Sequence, residues 1–169
     1  QDATRARHNP LTPPPREALL DSILDEESPR RVVFSSENIL GGPPRAVSAE
    51  GLYAGGEERL ARLVSLFPGD RIELFMAIRS PATFLHGMRS APDRAVPAEL
   101  PAGDALKQLQ WSDLIERIRK AVPQAALTVW CDEDMPLIWP EVVGMVADYT
   151  ADTRMHGLFD RLAPLLGTD

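Results

Sequence analysis

Arg79-Ser80-Pro81 has the residue types and order of an anion site. It follows a continuous apolar run at residues 72–78, read as a buried strand. A strand that ends on an arginine carries the guanidinium to the edge of its sheet. Ser80 is suited to cap the following helix, and Pro81 to sit in its first turn, where a missing N–H costs nothing. The free N–H groups of that turn and the positive end of the helix dipole then converge beside the arginine. A guanidinium also matches phosphate with two parallel hydrogen bonds. The competing reading is an arginine paired to a structural carboxylate, either Glu37 or one of Asp132-Glu133-Asp134. The residue types weigh equally on the two.

Two other strand ends carry polar chemistry. Val32-Val33-Phe34 is a short apolar run, followed at once by Ser35-Ser36-Glu37. Two hydroxyls and a carboxylate can hold a sugar or phosphate oxygen or supply a general base, with Glu37 the base candidate. Turn and cap chemistry is the favoured alternative. Asp132-Glu133-Asp134 follows the run at 127–130. Adjacent acids seldom converge on one cation, so solvated acids near a helix start are expected and no metal site. His8, His86 and His156 are isolated. Cys131, the single cysteine, sits beside acids, which argues against a reactive thiolate. Trp111, Trp130 and Trp139 are read as packing residues.

These residues need a scaffold. Apolar positions at i, i+3, i+4 and i+7 predict a helix over 57–67, through Leu60, Leu63, Val64 and Phe67. Further helices are predicted near 15–24, over 81–88, from a Ser112 cap to Val122, over 137–149, and along a last stripe at 158–166. Residues 41–55 and 90–103 read as loops. Strands at 32–34, 72–78 and 127–130, with helices between them, predict one α/β domain over 1–169. Its sheet is mostly parallel, with helices on both faces. The three runs are expected to be parallel strands of that one sheet, because a continuous apolar run suits a strand covered on both faces. Open sheets of this kind bind ligands outside the carboxyl ends of the strands.

The chain's 169 residues suit one domain, and 44% apolar content supports a sizeable core. With 18 basic and 25 acidic residues, the formal charge is −7, which speaks against a nucleic-acid backbone as main partner. No run approaches the length that spans a bilayer, so no membrane partner is expected. One cysteine and no signal-peptide pattern fit a reducing cytoplasm. No G-x-x-x-x-G-K-[ST] or G-x-G-x-x-G pattern is present. The opening on Gln1, in a polar, proline-rich stretch, suggests part of a longer chain.

Taken in order, Ser35-Ser36-Glu37, Arg79-Ser80-Pro81 and residues 128–130 with Glu133-Asp134 resemble the middle of a PAPS-dependent sulfotransferase. Residues 75–85 and 111–139 are most similar to uncharacterised sulfotransferase-like proteins from marine α-proteobacteria. The resemblance covers roughly residues 30–148. It implies a P-loop-type α/β fold and 3′-phosphoadenosine 5′-phosphosulfate as cofactor, without a metal. Small-molecule partners would be that nucleotide and an acceptor with a hydroxyl or amine. Arg79 would grip the 3′-phosphate, with Ser80, Ser35 and Ser36 as further nucleotide contacts. The family's serine eight residues beyond the arginine is Gly87 here. Its strand–loop–helix for the 5′-phosphosulfate has no counterpart in these residues and would precede Gln1. Two functions follow: a sulfotransferase, or a non-catalytic relative that binds or assembles.

Overall fold

The computed structural model describes residues 29–90 and 109–149, with residues 20, 103, 106, 156, 157, 160 and 162–167. Most of the expected helix near 15–24, most of the loop over 90–103, and residues 158, 159 and 161 of the last stripe lie outside the described residues. What is described is a mixed α/β structure with two small sheets, one of them parallel.

In chain order, a 3-10 turn at Pro43–Arg45 leads into β1 (Val47–Ser48) and β2 (Gly51–Leu52). Helix α1 (Gly56–Val64), β3 (Glu73–Ile78) and α2 (Pro81–Ser90) follow. Then come α3 (Trp111–Ala121), β4 (Ala126–Cys131), a 3-10 turn at Asp132–Asp134, α4 (Met135–Ala147) and the short α5 (Ala163–Leu166). Strands β3 and β4 are parallel, with Leu74 opposite Leu127 and Ile78 opposite Cys131.

The helical periodicity is realised where it is strongest. Leu60 and Val64 of α1 are buried against Leu114, Ile118 and Val122 from α3 and its end. This pair of helices lies on one face of the parallel sheet, over Leu74, Met76 and Leu127. Alternation puts Glu73, Phe75 and Ala77 on the opposite face. Helix α4 borders that face: Arg31 joins the Glu73 carboxylate at 2.6 Å and the Val146 carbonyl at 3.3 Å.

Three expectations change. Residues 32–34 form no strand, and Val33 is 51% exposed. Their apolar run matches a strand locally, but pairing needs a neighbour's backbone, and none of the described strands pairs with them. The stretch read as a loop over 41–55 contains the antiparallel hairpin β1–β2, with Val47 opposite Leu52. Val47 and Leu52 are both 2% exposed, so two apolar side chains close a second core with Met88 and Leu109. Gly55 then turns the chain into α1 at φ 70°, a conformation glycine adopts without penalty. Finally, Gln110 rather than Ser112 precedes α3, and Trp111 is its first residue.

Arg31, Arg71 and Glu73 form an ion cluster at the amino end of β3. The Arg31 hydrogen bond, with the Arg31 and Arg71 charges behind it, holds the Glu73 carboxyl below its ordinary value of 4.5, against an opposing push from burial. A depressed folded pKa stabilises the fold above the unfolded value, and that stabilisation is lost as pH falls through the folded one. Urea midpoints recorded as pH falls below 4.5 should therefore drop more for the native chain than for Glu73→Gln. Parallel acid limbs in the two proteins would show that this cluster contributes no pH dependence.

Candidate functional site

The parallel register builds the site. Because Ile78 stands opposite Cys131, the next residues, Arg79 and Asp132, leave the carboxyl edge side by side. They form an ion pair, with the Arg79 side chain 41% exposed. One residue on, the Ser80 N–H donates to Glu133 Oε1 at 2.8 Å. The Ser80 carbonyl accepts from the Phe84 N–H at 2.9 Å, so Ser80 opens α2 as its sequence implies. The Glu133 carboxylate thus sits at the amino end of α2, where the helix dipole favours negative charge. Of the carboxylates weighed as partners of Arg79, the structure selects Asp132.

Trp111 ties this corner to the core. Its indole Nε1–H donates to the Arg79 carbonyl at 2.6 Å. Its ring meets Phe84 edge-on at 5.3 Å between centroids and Tyr53 at 6.4 Å. Trp111 is therefore a hydrogen-bond donor as well as the packing residue expected from sequence. The available signal was chemical: a part-buried indole N–H needs an acceptor.

Ser35, Ser36 and Glu37 line the same open groove, of about 1590 Å³, as Arg79 and Asp132. All three are exposed. Ser36 Oγ accepts from the Asn38 N–H at 3.2 Å, which is turn chemistry of the kind expected as the alternative. What the three share with Arg79 is the groove. Trp130 Nε1, on β4 and bordering that groove, is buried with no hydrogen-bond partner among the described residues.

Other candidates stay apart. His86 faces Ser90 at 3.4 Å on exposed α2, and Cys131 is exposed at the end of β4. His156 is exposed, and His8 lies outside the described residues. Among the described residues no group of three His, Cys, Asp or Glu could hold a metal ion. No described helix is long and apolar enough to cross a membrane.

Chemically, the corner offers one guanidinium and one helix-start N–H, both engaged by carboxylates. A phosphate could take the same two donors only by displacing Asp132 and Glu133. A scan against protein-family models finds no match, and neither the curated proteins nor the solved structures contain a significant one.

Proposed function

We propose that this chain is sulfotransferase-like, with a P-loop-type α/β architecture, and that the Arg79 corner takes the 3′-phosphate of 3′-phosphoadenosine 5′-phosphosulfate. The observation that supports this best concerns position 87. A Cβ placed on Gly87 would lie 3.8 Å from Arg79 Nη1. The second turn of α2 and the guanidinium therefore face a common space, at the very position where the resembled family carries its phosphate-sharing serine. In the reaction, an acceptor hydroxyl or amine attacks the donor's sulfur. The bond from sulfur to the bridging phosphate oxygen breaks, and adenosine 3′,5′-bisphosphate leaves. Glu37, on the same groove, is the candidate for taking the acceptor's proton. Ser35 and Ser36 are nucleotide contacts in this reading, and cytoplasm is its compartment.

A second reading rests on the Arg79–Asp132 pair and the Ser80–Glu133 hydrogen bond. These close the corner with the chain's own carboxylates, as a non-catalytic binding or assembly protein would require for rigidity alone.

Calorimetry with adenosine 3′,5′-bisphosphate separates the two. Under the nucleotide reading, Arg79→Ala weakens binding by about 1.5–3 kcal/mol, the scale of a hydrogen bond to a charged group. Asp132→Asn tightens it, because a competing anion is removed. Gly87→Ser also tightens it by adding a hydroxyl beside the guanidinium. If the intact chain binds no nucleotide, and Asp132→Asn only lowers thermal stability, the corner is structural and the nucleotide reading fails.

A further inference from the structure

The acidic turn after β4 stands where a ligand anion would. Asp132 and Glu133 are consecutive residues of one 3-10 turn, Asp132–Asp134. Each gives a carboxylate to one donor of the Arg79 corner: Asp132 to the guanidinium, Glu133 to the Ser80 N–H. A single phosphate would offer its oxygens to the same two donors. The chain thus carries its own substitute for the anion, and the substitute is weakly held. The Arg79 side chain is 41% exposed and that of Asp132 32%, while Glu133 is an exposed residue. An exposed ion pair is worth at most about fivefold in an equilibrium, so a doubly charged phosphate can displace it.

The turn lies between two fixed neighbours. On one side Cys131 pairs with Ile78 in the parallel ladder. On the other, Met135 opens α4 and is 7% exposed. The residues between them have the poorer hydrogen-bond geometry of a 3-10 turn. The Met135 N–H donates to the Asp132 carbonyl and so joins the turn to α4. Pro136 comes next and has no N–H to offer in its place. The Asp132 carboxylate is one methylene from this main chain. A phosphate at Arg79 meets it as a like charge at close range. Moving that carboxylate away moves the backbone that also carries Glu133.

We infer that the 132–134 turn is an autoinhibitory plug in the Arg79 corner, released as one unit when a phosphate binds there. The inference deepens the nucleotide reading and rests on it. In the free chain Asp132 and Glu133 occupy the two donors. In the bound chain the phosphate takes both, the two carboxylates leave together, and the hydrogen bond from Met135 to Asp132 opens. Occupancy of the corner is thereby passed to the start of α4.

The test combines calorimetry with site-resolved amide hydrogen exchange. It uses the 169-residue chain and its double variant Asp132→Asn, Glu133→Gln, with adenosine 3′,5′-bisphosphate as the probe. The double variant should bind about tenfold tighter than the native chain, two exposed contacts at about threefold each. Binding by the double variant alone would be the extreme form of the same result. In the native chain, saturating probe should speed exchange of the Met135 amide by about threefold or more. The Ser80 amide should stay unchanged or slow, because its N–H passes from Glu133 to phosphate. A Met135 amide that is unchanged or slowed overturns the inference, as does equal speeding of both amides, which is general loosening. This readout needs no variant, so it decides even where the double variant does not fold. Equal affinity of the two proteins also overturns the plug, and leaves the nucleotide reading standing on the binding itself. If neither protein binds the probe, the nucleotide reading fails and the plug with it.

Discussion

Leu114→Ala should lower the unfolding free energy by about 2–5 kcal/mol, the range for truncating a buried leucine. The urea midpoint should fall with an unchanged slope. Leu114 is 0% exposed, and its neighbours Ile118 and Val122 are each 2% exposed. It sits where α3 meets Leu60 and Val64 of α1 and covers the sheet at Leu74 and Leu127. Those contacts come from two helices and both parallel strands, so collapse around the deleted methyls would have to move several elements at once. That favours the upper half of the range. Against the roughly 5–15 kcal/mol of an ordinary domain, such a loss leaves a marginal fold. A change below about 1 kcal/mol would show that α3 does not pack as described.

The second large effect is at Trp111. Trp111→Ala should cost about 3 kcal/mol, the low end for a large aromatic because the ring is only part-buried. It removes the ring contacts to Phe84 and Tyr53 together with the hydrogen bond to the Arg79 carbonyl. Trp111→Phe divides these contributions. It keeps an aromatic edge against Phe84 and forfeits the N–H, so it should cost about 0.5–1.5 kcal/mol. Because that bond anchors the backbone of Arg79, both variants should also increase amide exchange at Ser80. If Phe costs as much as Ala, the hydrogen bond dominates; if Phe is neutral, Trp111 is a packing residue alone.

The hairpin shows how far local pattern reaches. Residues 41–55 are rich in glycine and proline, and reading them as a loop follows directly from that composition. Two-residue strands give almost no periodicity, so β1 and β2 leave little trace in sequence. What fastens them is distant: Arg117, from α3, donates to the Leu52 carbonyl at 2.6 Å and pairs with Glu57 at 3.1 Å. Val32-Val33-Phe34 fails in the opposite sense. Its composition is that of a strand, but ladder bonds depend on a neighbour that local sequence does not specify.

Position in the chain settles much of the rest. Apolar spacing alone places α1 and α3, because their 3.6-residue stripes must face a core. Continuous apolar runs with helices between them imply that β3 and β4 are parallel. Arg79 at a strand end and Ser80 at a helix start are equally legible, since both follow from neighbouring residue types. Tertiary structure alone decides which carboxylate meets the arginine. Asp132 lies 53 residues from Arg79, and only the pairing of Ile78 with Cys131 brings the two together. The same holds for the edge of β3 that takes β4. An apolar strand announces that it needs cover, but which neighbour it pairs with depends on where the other strands come to rest. Local propensity acts over a few residues, whereas register and edge occupancy arise from contacts that exist only once distant segments have packed.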